Sequence, residues 1–294
     1  MYLEKFEFPS EYKEESFIDS IKRTCYTSYY PFKIFPLKHL SSLTFSPITI
    51  LYGGNGSGKT TLLNIIAEKL KLNRKSSFNR TSFFDNYIDL CNYESNFIPR
   101  QSQIITSDDV FDFMLDLRAI NDGIDIKREL LFEEYNKKKF DKNGNLKKIK
   151  GFSLDNFEED SKKLKEIKSV RVSQSTYIKQ RLENNIKANS NGESAFRYFI
   201  QRIEENALYL LDEPENSLSS ERQLELAQYI EDSARFYHCQ FIIATHSPFV
   251  LAMKHTKIYN LDTIPVKEAK SWTELNNMRA FYELFKRYSS DFEK

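Results

Sequence analysis

The feature that most constrains this chain is a glycine-rich segment between an apolar run and an apolar-periodic stretch. Residues 53–60 have the sequence G-G-N-G-S-G-K-T and directly follow the apolar run at 48–52. Residues 61–70 then place apolar side chains at the spacing of a helix. A buried strand, a glycine-rich loop and a helix in this order predict a backbone that curls around a phosphate group.

Each part of this segment has a chemical role toward a phosphate. Glycines let the backbone turn so that several N–H groups face one anion, and the helix N-terminus adds partial positive charge. Lys59 is predicted to reach the β- and γ-phosphates, and the Thr60 hydroxyl is predicted to bind Mg²⁺. We therefore expect ATP and Mg²⁺ as ligands. The residues expected to hold the nucleotide here are Gly53, Gly54, Asn55, Gly56, Ser57, Gly58, Lys59, Thr60 and Thr61.

Composition allows one large domain with an insertion and indicates no global electrostatic preference. The 294 residues are 40% hydrophobic, which is enough for a substantial core, and the net charge of +1 attracts neither nucleic acid nor anionic lipid overall. Cys25, Cys91 and Cys239 form no C-x-x-C pair, which argues against a zinc site and fits a reducing compartment. No apolar run is long enough to span a membrane, and the N-terminus lacks a signal-peptide pattern. We therefore expect a cytoplasmic protein that makes no membrane contact.

The order of apolar and polar segments predicts an α/β fold. Apolar strands are expected at 207–211 and 241–244 with a helix near 220–236 between them, a pattern typical of a mostly parallel sheet flanked by helices. Residues 120–187 are instead dense in Lys, Glu, Asp and Asn, which predicts an inserted, charged and mostly helical arm. The expected division is an N-terminal lobe at 1–119, the arm at 120–187 and a C-terminal lobe at 188–294.

Two acids and a histidine follow the predicted strands. Asp212 and Glu213 end the first strand, where an acid pair alone would more often mark a helix N-terminus. Beside a phosphate loop, Asp212 can hold Mg²⁺ and Glu213 can deprotonate the attacking water. His246 ends the next strand, and a parallel neighbour strand would bring it close to Glu213, where its imidazole could contact the γ-phosphate.

Taken together, these segments resemble the ABC-type ATPase superfamily. The sequence is more similar to the soluble SMC/RecF/OLD-like branch, which occurs in bacterial DNA repair and anti-phage defence, than to transporter subunits. Two departures are Asn191 in the signature, where the family usually has Gly, and Ser219 in the D-loop, where it usually has Asp or His. The matching segments are Walker A at 53–60, a divergent signature S-N-G-E at 190–193, Walker B with its catalytic glutamate at 208–214, the D-loop at 215–219 and the switch histidine at 244–248.

The resemblance implies a homodimer in which two copies enclose two ATP molecules head to tail. Ser190, Gly192 and Glu193 of one copy would contact the γ-phosphate held by Lys59 of the other. Taken alone, a serine and a glycine before a helix would more often be a simple helix cap.

The resemblance also implies a Q-loop glutamine at the nucleotide and Mg²⁺. Both Gln101 and Gln103 are candidates, with Gln103 slightly favoured. An aromatic residue is expected to stack on adenine, and Tyr29, Tyr30 and Phe32 stay open as candidates, although core packing is the commoner role for each of them.

These features predict an ATP-hydrolysing dimeric switch that controls an effector protein in trans or acts on nucleic acid. Residues 137–150 contain seven lysines against one acid and could contact a phosphate backbone, although such runs are more often solvated surfaces. One alternative is the ATP-binding subunit of a membrane transporter, against which the divergent signature and the charged arm argue. Another is a nucleotide-bound scaffold with little turnover.

Overall fold

The computed structural model describes residues 1–22, 25–139, 173–182, 184 and 191–292. Its strands are β1 (Leu3–Glu7), β2 (Ser42–Thr44), β3 (Ile48–Tyr52), β4 (Asn92–Ser95), β5 (Gln103–Thr106), β6 (Leu208–Asp212), β7 (Gln240–Thr245), β8 (Lys257–Asn260) and β9 (Lys267–Ala269). Its α-helices are α1 (Glu11–Ser20), α2 (Lys59–Leu70), α3 (Phe84–Leu90), α4 (Ser107–Lys139), α5 (Gln174–Lys179), α6 (Asn191–Arg202), α7 (Ser220–Phe236), α8 (Pro248–Leu251), α9 (Asn276–Arg287) and α10 (Ser289–Phe292).

The central sheet has the strand order β5-β6-β7-β3-β8-β9. The pairs from β5 to β8 are parallel, and only β9 runs antiparallel to its neighbour. Strands β3, β6 and β7 are buried along their whole length, as continuous apolar runs in a parallel sheet require. The predicted α/β class with a mostly parallel sheet is therefore confirmed.

Register aligns the ends of the strands that carry the predicted site. Asp212 pairs with Ala244, Tyr52 pairs with Thr245, and Thr106 pairs with Asp212. Because parallel strands end at the same edge of a sheet, the loops after β3, β6 and β7 emerge side by side.

A second, antiparallel sheet has the order β2-β1-β4. Its buried side chains, among them Leu3, Phe6 and Leu43, share one hydrophobic core with α2 and the central sheet. Helix α2 lies in this core through its apolar face, including Leu62, Leu63 and Ile66. The phosphate loop thus has a buried strand on one side and a buried helix on the other.

The chain divides into two compact units. One consists of Met1–Asp112 with Ser190–Lys294, and the other of Phe113–Asn189, so residues of α4 belong to both. The arm expected at 120–187 has bounds close to those of the second unit. Within that unit Tyr135, Tyr177 and Ile178 form a small buried cluster.

Most of the lysine-rich segment predicted to contact nucleic acid, residues 140–150, lies outside the described residues. Lys137 is described, and it forms an i,i+4 ion pair of 3.2 Å with Glu133. Within the described part of the chain, no helix combines the length and the hydropathy that crossing a membrane requires.

Candidate active site

The loop between β3 and α2 requires glycine at specific points. Gly58, which precedes α2, has a φ of 93°, in the left-handed region that favours glycine. At Gly53, a Cβ atom would lie 2.4 Å from the hydroxyl oxygen of Ser57. The curled loop borders a cavity of about 380 Å³. This cavity is lined by Ile34, Asn55, Gly56, Ser57, Gly58, Lys59, Thr60, Thr61 and Glu213.

The ammonium group of Lys59 lies within this loop with a side-chain exposure of only 4%. It donates hydrogen bonds to the carbonyl oxygens of Gly53 at 2.7 Å and Gly54 at 3.1 Å. Its nitrogen also lies 3.5 Å from the carboxylate of Glu213. A buried ammonium needs acceptors for its three N–H groups, and phosphate oxygens are acceptors of the same kind. A phosphate can therefore replace these contacts without leaving the charge unpaired.

Thr60 and Asp212 lie together, although they are far apart in the sequence. The Thr60 hydroxyl donates a hydrogen bond of 3.1 Å to Asp212 Oδ1. Burial raises the pKa of Asp212 to about 6; the nearby Glu213 charge also raises it, while the Thr60 hydrogen bond lowers it. A buried carboxylate beside a hydroxyl offers the oxygen ligands that Mg²⁺ prefers.

Glu213 follows β6 in a backbone conformation that is unusual for a residue with a side chain. Its φ is 48°, and its N–H donates to the carbonyl oxygen of Ala244 at 2.9 Å. The second carboxylate oxygen accepts a hydrogen bond of 3.0 Å from the Asn216 amide. Left-handed residues of this kind persist only where surrounding contacts hold them. Here the contacts with Ala244 and Asn216 hold the Glu213 carboxylate toward the phosphate loop.

His246 lies at the end of β7, next to two carboxylates. Its Nδ1 is 3.9 Å from Glu213 and 3.6 Å from Glu215. Glu215, which the family resemblance places only in the D-loop, is buried, and one of its carboxylate oxygens contacts the end of β7. That oxygen accepts from the Thr245 hydroxyl at 2.6 Å and from the His246 N–H at 3.0 Å.

Two further residues at this edge were not expected from the sequence. Asp262, after β8, accepts the Gly54 N–H with both carboxylate oxygens at 3.0 Å. The available sequence signal was weak, because the strand that precedes Asp262 has apolar residues only in its middle. Ile34 lines the cavity and lies 3.6 Å from the position of a Cβ at Gly58. No local sequence pattern marks Ile34.

Gln103 lies away from this site, and its expected role as a nucleotide and magnesium ligand stays a prediction. It begins β5 and pairs with Tyr209, three positions before the strand end where Thr106 pairs with Asp212. Its side-chain amide donates to the carbonyl oxygen of Arg202 at 2.7 Å. The Gln101 amide likewise donates to backbone carbonyls on that side of the sheet, so neither candidate for the Q-loop residue lies next to Lys59 and Asp212 in this structure.

The three candidate adenine-stacking residues lie differently from one another. Phe32 is buried and stacks on Phe17, with ring centroids 4.9 Å apart. Tyr29 contacts the ring of Phe83. Of these three residues, only Tyr30 is hydrogen-bonded to a residue that lines the cavity. Its hydroxyl donates a hydrogen bond of 3.0 Å to the hydroxyl of Thr61. Aromatic packing and hydrogen bonding within the chain therefore account for all three.

The segment expected to be the signature lies apart from the cavity lining. Gly192 is in the first turn of α6, and a Cβ there would lie 3.5 Å from the Ser217 carbonyl oxygen and 3.6 Å from the Ser219 nitrogen. Glu193 follows in the same turn, and neither residue lines the cavity around Lys59. Ser190 lies outside the described residues.

The observed donors fit ATP with Mg²⁺. Gly56 adopts a φ of 77°, and a Cβ there would meet no atom within 4 Å, so the loop leaves open space at that point. The Ser57 hydroxyl is buried and has no hydrogen-bond partner among the described residues. With Lys59 and the oxygen pair of Thr60 and Asp212, this arrangement offers an anion cradle beside a hard-cation site.

Two family models match the sequence. One, described as ABC transporter, matches residues 41–216. The other, described as AAA domain, putative AbiEii toxin, Type IV TA system, matches residues 190–252. Among curated proteins, no match to the chain is found.

Several solved structures resemble the chain at low identity. The Smc head domain of Pyrococcus furiosus, bound to the C-terminal domain of ScpA, is 16% identical and covers 96% of this chain and 99% of its own, with a TM-score of 0.44. A nucleotide-free ATP-binding cassette from an ABC transporter is 13% identical to this chain. The match covers 95% of this chain and 96% of the cassette, with a TM-score of 0.40. The SMC head domain of Thermotoga maritima is 13% identical to this chain. The match covers 92% of this chain and 98% of the head domain, with a TM-score of 0.35. With TM-scores below 0.5, these similarities carry no argument about ligands or partners.

Proposed function

The chain belongs to the ABC transporter family of ATPases, and we propose that its nucleotide site drives a dimeric switch rather than a permease. The predicted resemblance to the ABC-type ATPase superfamily is thereby confirmed. The observation that carries the proposal is the convergence of Lys59, Thr60, Asp212, Glu213 and His246 at one edge of the central sheet.

The contacts suggest a distinct task for each side chain. Lys59 binds phosphate oxygens in exchange for its present carbonyl contacts. Asp212 and Thr60 would hold Mg²⁺, which when bound neutralises charge that develops on the phosphates. Glu213, with a partly exposed carboxylate, accepts a proton from the attacking water. His246, whose side chain is 45% exposed, donates a hydrogen bond to the terminal phosphate and loses that contact when the phosphate leaves.

The separation of Gly192 and Glu193 from the Lys59 cavity supports a site completed by a second copy. Both residues begin α6 beside the loop at 217–219, away from the cavity lining. In a head-to-tail dimer, the N-terminus of α6 would contribute its partial positive charge to a nucleotide held by the partner subunit. Ser190 belongs to the same proposal.

We further propose that the switch controls a protein effector in DNA repair or defence in the cytoplasm, in keeping with the SMC/OLD-like branch. The description of the second family model, which names a putative toxin of a toxin–antitoxin system, favours this reading. The charge-dense segment at 120–187, which the sequence predicts to be an insertion between two lobes, supports it over a transporter subunit. Nucleic acid is a second candidate partner, on account of the lysines at 137–150.

Substitution of Glu213 by glutamine tests the proposed activity. We expect Glu213→Gln to bind ATP as tightly as the wild type, because Lys59, Thr60 and Asp212 stay in place. Hydrolysis should fall by about 10²–10⁴-fold, the usual contribution of a general base. Phosphate release and binding of a fluorescent ATP analogue, both measured with Mg²⁺, provide the two readouts.

Glu205→Gln is the matched control, since Glu205 is an exposed glutamate before the opposite end of β6. It should leave both readouts unchanged. Undiminished turnover in Glu213→Gln would remove Glu213 from the mechanism. A wild-type protein that binds ATP without turning it over would instead favour the scaffold alternative.

A further inference from the structure

The cavity around Lys59 has one wall whose chemistry differs from that of the rest. Among the described residues that line the cavity, Ile34 is the one with a purely hydrocarbon side chain, and the others are polar, charged or glycine. Ile34 Cγ2 lies 3.6 Å from the position of a Cβ at Gly58, directly before α2. The phosphates of a nucleotide need Lys59 and the N–H groups at the start of α2, so the hydrocarbon wall is left for the nucleoside.

Ile34 belongs to a short segment whose flanking side chains are anchored in the core. Phe32 and Phe35 are buried, and each of them stacks on another aromatic ring, with centroids 4.9 Å and 4.6 Å apart. These two anchors leave only Lys33 and Ile34 between them. A change in the backbone conformation of Lys33 therefore has to be absorbed by Ile34, the residue that lines the cavity.

Lys33 adopts a backbone conformation that is unfavourable for a residue with a side chain. Its φ is 67°, in the left-handed region, where the Cβ atom crowds the backbone. Residues other than glycine keep such a conformation only where surrounding contacts hold it. The position of Ile34 thus depends on a contact that keeps Lys33 in this conformation.

Glu14, on α1, provides such a contact from the interior of the protein. The residue is 1% exposed, and its Oε2 accepts the backbone N–H of Lys33 at 2.5 Å. Its other oxygen, Oε1, is also buried and has no hydrogen-bond partner among the described residues. Burial raises the pKa of Glu14, and the hydrogen bond from Lys33 is the largest influence that lowers it. This one bond therefore compensates the carboxylate for its burial and holds the strained residue in place.

We propose that Glu14 is a positioning residue for the nucleoside part of the substrate: it holds Lys33 so that Ile34 forms the hydrophobic wall against base and ribose. The proposal deepens the proposed ATPase function and rests on it. Glu14 does not line the cavity, so it acts through the backbone of Lys33. Its loss should weaken contacts to the nucleoside and leave contacts to the phosphates in place.

Comparison of ATP with inorganic tripolyphosphate tests this division, because tripolyphosphate has the phosphate chain without the nucleoside. Glu14→Met keeps an unbranched side chain of similar length and removes both acceptor oxygens. We expect the Kd for ATP to rise at least about tenfold and the Kd for tripolyphosphate to change less than about threefold. Isothermal titration calorimetry with Mg²⁺ measures both values.

Glu15→Met is the matched control, because Glu15 is the next residue of α1 and is exposed. It should change neither Kd. Equal weakening of ATP and tripolyphosphate in Glu14→Met would overturn the proposal, since the phosphate site would then be the part affected.

Two further variants distinguish the hydrogen bond from a general loss of packing. Glu14→Gln keeps an acceptor for the Lys33 N–H, so its Kd for ATP should stay within about threefold of the wild-type value. Glycine adopts positive φ about as readily as negative φ, so Lys33→Gly in the Glu14→Met background should recover at least about threefold in ATP affinity. A Glu14→Gln protein as weak as Glu14→Met, or no recovery with Lys33→Gly, would contradict the proposal.

Ile34→Ala tests the hydrophobic wall directly and does not depend on the folding of the Glu14 variants. Removal of this hydrocarbon contact should weaken ATP binding at least about fivefold and leave tripolyphosphate binding unchanged. Wild-type affinity for ATP in Ile34→Ala would overturn the proposal even if Glu14→Met does not fold. A wild-type protein that binds neither ATP nor tripolyphosphate would instead contradict the proposed function itself.

Discussion

At the scale of single residues, burial at the site disfavours the ionised form of the Asp212 carboxyl. Asp212 is buried, and its pKa is raised from 3.8 to about 6. The folded protein therefore binds this proton more tightly than the unfolded chain does. The protonated Asp212 carboxyl therefore stabilises the folded state fully below about pH 4. This contribution to the free energy of unfolding is lost as pH rises through about 6, because the carboxylate must then be ionised in a buried position. A shift of this size corresponds to roughly 3 kcal/mol.

Asp212→Asn should therefore stabilise the protein at pH 8 in the absence of nucleotide and Mg²⁺. We expect the free energy of unfolding to rise by about 1–3 kcal/mol relative to the wild type, since no buried charge has to be kept. At pH 4.5, where the wild-type carboxyl is protonated, the gain should shrink. Urea unfolding at both pH values measures the effect, and an equal gain at both would contradict it. ATP hydrolysis should be lost at either pH.

At the scale of secondary-structure elements, β3 and α2 fix the two ends of the phosphate loop and so constrain its backbone conformation. Strand β3 is buried on both faces and α2 packs into the core, so the loop has to reverse direction within a few residues. Gly58 meets this demand with a φ of 93°. The same junction brings Asp262 against the Gly54 N–H, so the loop conformation is held from outside as well.

Gly58→Ala should weaken ATP binding at least tenfold while the protein stays folded. A left-handed alanine costs about 1–2 kcal/mol, and the loop can relieve this strain only by moving its N–H groups. Titration with a fluorescent ATP analogue measures the loss.

Gly123→Ala is the matched control, because Gly123 lies in the interior of α4 with open space around it. It should leave ATP binding unchanged and raise helix stability by about 0.5–1 kcal/mol. Equal binding by both alanine variants would mean that the left-handed turn at Gly58 is not needed for the nucleotide.

At the scale of the whole molecule, the proposed function requires two chains. The N-terminus of α6 lies beside the loop at 217–219 and not at the cavity around Lys59, so each chain would carry two half-sites. ATP would then act as the bridge between subunits.

Mixing two inactive variants tests this arrangement. Lys59→Ala removes the phosphate ligand and Ser190→Arg blocks the signature, so each protein alone should be inactive. Together they should regain about a quarter of wild-type turnover, because half of the random dimers contain one intact composite site. Absence of any recovery, with specific activity that is independent of dilution in the wild type, would place the whole site in one chain.

The lysine-rich segment at 137–150 is the region proposed to contact a nucleic-acid partner. Replacement of Lys137, Lys138, Lys147 and Lys148 by Glu should leave basal ATPase activity intact. Any nucleic-acid affinity should be lost, because backbone contacts release counterions and depend steeply on salt. Filter binding from 50 to 300 mM salt measures this, and an unchanged, salt-independent affinity would assign the segment to another role.

The sequence by itself determined the α/β class, the strand–loop–helix unit at the phosphate loop and the order of the strands that end in polar residues. These follow from local patterns: an apolar run of strand length, helical periodicity and glycines where a tight turn has to form. Parallel neighbours then place Asp212, Glu213 and His246 at the same edge of the sheet.

Only the tertiary structure decided which polar residues reach that edge and which do not. Gln103 has the expected residue type near the expected strand, yet strand register places it three positions from the end beside Arg202. Glu215 and Asp262 reach the site through contacts to strands and loops that are distant in sequence. The physical reason is that side-chain partners across a parallel sheet depend on register and loop conformation, which many long-range contacts set together and no local pattern encodes.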